Sequence, residues 1–294
     1  MKYSALYPVV AGIALGAMLL PGAALAEKKT PFTSKETDTR QDAGLWLTDG
    51  KQVCAFDGRS SLVEEASDSR VAGDGWFSVY AVVDLKTGAA TFWGQFHIEN
   101  ARGAWDGYWT GNERQDGLVA TLRGSGEYEG LVSRWTSTSH GGGIVNWSGY
   151  IVENGPGDVP FKMSGLRTEQ LEIIQGMVLD PMTMQPTGEF GALGKGTLVA
   201  GGGQASHIGI FTDLKEIGLM DLASGKSWGM GIAEAANGDL FTWVSCGGMN
   251  SDGAFEFQIF FAGGTGRFEH AVGSVAGQLD WTTYTYKGTG TIRY

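Results

Sequence analysis

The chain has 294 residues, of which 21 are basic and 32 acidic, giving a formal net charge of −11 at neutral pH. A chain this acidic, with no Lys/Arg cluster, has no electrostatic route to phosphate backbones or anionic lipid, so neither nucleic acid nor a charged membrane surface is an expected partner. Gly supplies 48 residues and Pro only 7, a balance that suits tight turns and close strand contacts better than helices.

Residues 1–26 open with Lys2, continue through the apolar run 9–20 and close on Ala24-Leu25-Ala26. One positive charge, an apolar stretch too short for a comfortable membrane span and an Ala-x-Ala ending describe a secretory signal peptide cleaved after Ala26. No later segment is long and apolar enough to insert as a membrane helix, so the mature chain is expected in the periplasm or outside the cell. Residues 27–43 are polar, with Phe32 almost the sole apolar residue, and read as a flexible leader.

From residue 44 the texture changes to short runs rich in aromatic and β-branched residues, each ended by Gly, Asn or Asp. Strands are predicted over 76–84, 89–99, 103–110, 118–123, 131–138 and 145–152, with a shorter one near Val53. Gly155-Pro156-Gly157-Asp158 marks a linker. Beyond it strands are predicted over 161–167, 171–179, 196–200, 207–212, 216–221, 227–233, 239–245, 254–262, 270–281 and 284–294. No segment shows sustained 3.6-residue spacing, so the chain is expected to be all-β.

Three short motifs recur in order. Asp84-Leu85-Lys86-Thr87-Gly88 returns as Asp221-Leu222-Ala223-Ser224-Gly225, Gly124-Ser125-Gly126-Glu127-Tyr128 as Gly264-Thr265-Gly266-Arg267-Phe268, and Gly149-Tyr150-Ile151 as Gly290-Thr291-Ile292. The spacing between copies stays between 137 and 141 residues, as a duplicated domain with small loop insertions requires if its strands are to keep register. Residues 44–154 and 155–294 are therefore expected to be two tandem domains. So many short strands per copy are best accommodated by closing each sheet, giving two tandem antiparallel β-barrels of roughly eight strands each. A barrel of that size is either filled by side chains or holds one small ligand.

The stretch Ala262-Gly263-Gly264-Thr265-Gly266-Arg267-Phe268-Glu269-His270-Ala271-Val272-Gly273-Ser274, with Gly288-Thr289-Gly290-Thr291-Ile292 after it, resembles the late hairpin of the allene oxide cyclase and dirigent-like barrel superfamily. It also resembles a broad set of uncharacterised exported bacterial proteins, a likeness extended by Gly201-Gly202-Gly203-Gln204-Ala205-Ser206-His207-Ile208-Gly209 and Ala235-Ala236-Asn237-Gly238-Asp239. Residues 124–131 carry a degenerate version of the same turn. The resemblance implies a barrel and, by analogy, isomerase or cyclase chemistry. None of the plant cyclases' catalytic residues matches a position here.

Several constellations could carry chemistry. Gly264-Thr265-Gly266-Arg267 is not a phosphate loop, since a strand pattern rather than a helix follows it. The four histidines, His97, His140, His207 and His270, share no metal-ligand spacing, and only His97 and Glu99 project together from one strand, so no metal or cofactor is expected. Cys54 and Cys246 occupy non-equivalent places in the two copies, which favours buried thiols over a bridge and leaves neither beside an activating His. The richest cluster is Trp105, Tyr108, Trp109, Tyr128, Arg134, Trp135 and Trp147, expected to line a site for a small apolar or aromatic ligand. Asp106 and Glu129, and Glu256 in the second copy, are the candidate catalytic carboxylates, because a carboxyl facing such a lining would have a raised pKa. The second copy offers the parallel set Glu234, Trp243, Glu256, Arg267, Glu269 and His270. Three functions stay open: a ligand-binding barrel protein, an isomerase or cyclase, and a structural envelope module whose barrels are filled.

Overall fold

A computed structural model describes residues 27–41, 45–48, 51–61, 65–112, 117–141, 143–153, 155, 157–180, 183 and 185–294. Its elements are strands joined by turns, with two one-turn 3-10 segments and no α-helix among the described residues. In chain order the strands are β1 (Lys28–Gln41), β2 (Leu45–Thr48), β3 (Lys51–Ser61), β4 (Asp74–Asp84), β5 (Ala90–Asn100), β6 (Gly103–Asn112), β7 (Val119–Gly126), β8 (Val132–Gly141) and β9 (Ile144–Glu153). They continue as β10 (Val159–Leu179), β11 (Pro186–Ala205), β12 (Gly209–Asp221), β13 (Ser227–Ala235), β14 (Leu240–Met249), β15 (Phe255–Gly264), β16 (Val272–Asp280) and β17 (Thr285–Arg293).

All pairings are antiparallel. From β3 each strand pairs with the next through to β9, and β1 joins both β9 and β3, so this set of ladders returns on itself. From β10 the same pattern runs to β17, which pairs back with β10. We call these the first and second circuits. Short β2 links them, pairing with β3 on one side and with the far end of β10 at Met177↔Thr48 and Val178↔Leu47 on the other.

Of the recurring motifs, the first two are turns with a job, and the third lies within β9 and β17. Asp84 Oδ1 accepts hydrogen bonds from the Lys86 and Thr87 amides at 2.8 and 3.1 Å, and Asp221 Oδ1 accepts one from Ala223 at 2.9 Å, so each aspartate closes its own hairpin. Gly88 and Gly225 follow at φ +74° and +68°, a conformation that suits glycine. The second motif seals the end of each circuit with an aromatic. Tyr128 stacks on Trp105 at 5.3 Å and donates its hydroxyl to Asn100 Oδ1 at 2.8 Å, while Phe268 packs at 5.7 Å on Phe241.

Residues 27–43 are not the flexible leader their composition suggests, since most of them form β1. Its register with β9 runs unbroken from Lys28↔Glu153 to Thr37↔Ile144. Backbone hydrogen bonding is indifferent to side-chain polarity, and β1 supplies the partner without which β9 and the 58–61 end of β3 would be open edges. Its inward positions are buried: Phe32 meets Trp135 at 4.6 Å, and Glu36 accepts a 2.7 Å hydrogen bond from Trp147 Nε1. Residues 155–294 also differ from the expected strand lengths. The runs 161–167 and 171–179 are one strand, β10, and 207–212 and 216–221 are one strand, β12, each continuing across a β-bulge that interrupts the alternation.

The outer faces of the two circuits meet in a shared apolar layer. Leu47, Val82 and Trp93 pack there with Ile174, Ile217, Leu219, Met230 and Val244, and each fully buried aliphatic contributes about 1.5–3 kcal/mol. Tyr108 stacks on Phe260 at 4.4 Å and Tyr80 on Trp228 at 5.3 Å across the same seam. Charged groups close its end: Lys29 reaches Glu269 at 3.0 Å, and Arg293 donates to the Gly130 carbonyl at 2.9 Å.

On β1, burial pushes the Asp38 carboxyl up from 3.8 to about 6. The folded chain then holds this proton more tightly than the unfolded one, so the contribution is stabilising below about pH 4 and is lost as pH rises toward 6. Asp38→Asn is expected to match the parent near pH 4 and to exceed it in stability at pH 7. Urea midpoints at the two pH values measure this, and a difference independent of pH would contradict it.

Candidate functional site

The two circuits are packed differently inside. On β5 the inward residues are Phe92, Gly94, Phe96 and Ile98, whereas β13, which holds the same place in the second circuit, carries Gly229, Gly231, Ala233 and Ala235. One device is common to both. Gly94 lies beneath the Trp109 ring and Gly231 beneath Trp243, where a Cβ would collide. The rest diverges. Phe96, Trp105, Trp135, Trp147 and Ile151 fill the first circuit against one another. In the second, Gly229 leaves room where β5 has Phe92, while Ala233 and Ala235 join the packed half.

That room is a chamber of about 230 Å3. Phe255, Phe257, Leu279, Leu198 and Tyr286 line its walls beside Gly196, Gly218, Gly229 and Ser245, and it opens at a rim that includes Leu171 and Trp281. Below it, Phe161, Phe211, Phe241, Trp243, Phe261 and Phe268 close the far half of the circuit as a packed core.

Between core and chamber sits a charged layer. Arg167 Nη2 is 2.8 Å from Asp213 Oδ2 and in direct contact with Glu216, and its Nε is 3.8 Å from Glu169 Oε1. The guanidinium lies over the Trp243 and Tyr286 rings, at 5.8 and 5.7 Å from their centroids. Arg167, Glu169 and Glu216 face the chamber; Asp213 stands behind them, its side chain 1% exposed and its Oδ1 without a hydrogen-bond partner. Burial raises the Asp213 carboxyl despite Arg167, and burial likewise raises Glu169. Tyr286 is also pushed up by burial.

Bulges build this layer. Leu214 is the extra residue between Asp213↔Ala233 and Lys215↔Ile232, which turns Asp213 and Glu216, three apart, to the same side of β12, where strict alternation would oppose them. A second bulge lies between Thr168↔Ala200 and Glu169↔Leu198. Gly201 clears the space for Asp213, whose Oδ2 would lie 2.7 Å from a Cβ there.

The sequence-derived candidates lie elsewhere. Trp105, Trp109, Tyr128, Trp135 and Trp147 are inside the first circuit, with indole or hydroxyl groups engaged: Trp105 Nε1 donates to the Arg70 carbonyl at 2.7 Å, Trp109 Nε1 to the Ser78 carbonyl at 3.1 Å and Trp135 Nε1 to Ser133 Oγ at 2.8 Å. Tyr108 and Arg134 face outward into the seam; Arg134 donates to Thr121 Oγ1 and to the Ala262 carbonyl, at 2.8 and 3.3 Å. Burial lowers the Arg134 guanidinium to about 10.

Asp106 is on the outside of β6, 2.6 Å from His97 Nδ1, and Glu129 is exposed in a turn. Glu256 is also outside, accepting from Asn250 at 2.9 Å and Gln278 at 3.4 Å. None of the three carboxylates faces the chamber. Of the parallel second-copy set, Trp243 joins the charged layer, Glu234 and Arg267 are exposed, and Glu269 and His270 sit at the seam's end, where His270 Nε2 is 2.8 Å from Glu27 Oε1. Cys246 is a free thiol beside the chamber, and burial raises its pKa, so it is a poor nucleophile. The side chains of Cys54 and His140 lie outside the described residues. Among the described residues no cluster of His, Cys, Asp and Glu could hold a metal ion.

No family model, curated protein or solved structure matches this chain.

Proposed function

We propose that the protein is an exported tandem β-barrel protein whose second barrel binds one small, largely apolar molecule carrying a polar end. The observation that carries this reading is the chamber of about 230 Å3, aromatic on its walls and charged at its floor. An apolar cavity of roughly 150 Å3 suffices for benzene, so this one suits a single ring with a short substituent. Closure of each circuit as a barrel, descent of the two from one duplicated unit, and export directed by residues 1–26 belong to the same proposal. Support comes from the returning ladders, the matching turns and the signal-like leader.

A second reading is an isomerase or cyclase, toward which the dirigent-like and allene oxide cyclase resemblance leans. Glu169 favours it, because a carboxyl that faces an apolar chamber and whose pKa burial raises is the kind of group that serves as a general acid or base. The aromatics of the first barrel act as its filling, which reserves the structural role for that half.

To test the proposal, purified mature protein is incubated with cell extract and followed by native mass spectrometry. A retained, unchanged small molecule supports the binder; a consumed one supports the enzyme; neither outcome contradicts both readings. Ser245 lines the chamber wall, its Oγ close to Gly229. Ser245→Phe is expected to fill the space and weaken binding at least about a hundredfold, with stability changed by less than about 2 kcal/mol. Calorimetric titration and urea unfolding of the variant read the two effects separately.

A further inference from the structure

The charged floor carries more than a polar end. Arg167 is the single cation of the layer and faces three carboxylates, Glu169, Asp213 and Glu216. Its guanidinium meets Asp213 and Glu216 through Nη2 and leaves Nε without a hydrogen-bond partner, but one cation facing three carboxylates leaves the layer acidic. Glu169, by contrast, projects into the chamber with Arg167 Nε no nearer than 3.8 Å. Asp213 adds a buried oxygen with no partner on the narrow floor that Arg167 and Tyr286 share with the chamber. The other titratable groups on the lining, Tyr286 and Cys246, are held neutral by burial. An anion would meet surplus negative charge in a low-dielectric space, which costs several kcal/mol, whereas a cation would offset it. The walls agree, since Phe255, Phe257 and Tyr286 line them and aromatic rings attract cations.

We propose that the chamber selects a single-ring organic cation, an aryl-alkyl ammonium whose ring occupies the apolar walls and whose nitrogen donates to Glu169 and Glu216. The inference rests on the reading of this chamber as a ligand site and names the chemical class it takes. Binding needs no proton transfer or bond change. The ammonium replaces its water shell with carboxylate acceptors, and the ring buries its apolar surface.

Four probes of one size separate the possibilities by calorimetric titration of the full mature chain: 2-phenylethylamine, 2-phenylethanol, propylbenzene and phenylacetate. The amine is expected to bind at least about tenfold more tightly than the alcohol, and phenylacetate most weakly, a tenfold ratio being 1.4 kcal/mol. Glu169→Gln is expected to weaken the amine at least about tenfold and the alcohol by less than about threefold, and an unchanged urea midpoint shows that the variant is folded. Phenylacetate binding as tightly as the amine, or a Glu169→Gln variant that weakens amine and alcohol equally, overturns the cation assignment. Propylbenzene and the alcohol binding without the amine overturns the cation assignment but leaves the chamber as a site. Failure of all four overturns the site itself.

Discussion

Replacing Arg167 with Met is expected to destabilise the protein by about 3–5 kcal/mol at neutral pH, because it leaves buried carboxylates with no counter-charge. Asp213 is 1% exposed at its side chain and Glu216 12%, and both are in contact with the guanidinium. The loss should shrink in acid. Asp213 and Glu169 already have raised pKa values in the folded protein through burial. A carboxyl whose folded pKa exceeds its unfolded value binds protons preferentially in the native state, so its contribution is greatest below the unfolded pKa and declines as pH rises through the folded one. Removing Arg167 raises both further, and the variant should regain stability relative to the parent as pH falls from 7 toward 4. Urea unfolding at several pH values reads this directly. A penalty independent of pH would mean that lost packing on Trp243 and Tyr286, rather than charge, accounts for the effect.

Trp135→Ala is expected to cost a similar amount, about 3–5 kcal/mol, for a different reason. Its ring is fully buried at the centre of the first circuit, edge-on to Phe32 at 4.6 Å and to Trp147 at 6.0 Å, with Phe96 at 6.0 Å. Truncation forfeits these contacts and leaves a cavity that the surrounding strands, tied by ladders on both sides, cannot collapse. It also leaves Ser133 Oγ, buried, without the indole donor. The change should lower the urea midpoint at every pH and leave ligand affinity in the second circuit within about twofold, since the two interiors are separate. A loss of binding as large as the loss of stability would show that the first circuit contributes to the site.

What the sequence made legible was whatever depends on local backbone chemistry. The Asp and Gly of residues 84–88 and 221–225 announce their turns, and His97 and Glu99 do project together from β5, 3.6 Å apart. What it hid depends on pairing between distant segments. The polar β1 is a strand only because β3 and β9 need a partner, a demand invisible in its own composition. Asp213 and Glu216 face the same way only because of the bulge at Leu214, and their neighbour Arg167 lies on β10, far away in the chain. The sequence-level signal that could have found them was subtraction: Gly229 on β13 stands where β5 has Phe92. A small residue replacing a large one on an inward face implies space. Counting aromatics pointed instead to the half of the molecule where the rings are packed solid.

The most direct measurement is an anomalous-difference map from crystals of residues 27–294 soaked with bromobenzene. A ligand chamber in the second circuit predicts one bromine peak between Phe257, Leu279 and Ser245, lost in the Ser245→Phe variant. A peak among Trp105, Trp135 and Trp147, or none in either circuit, would contradict it.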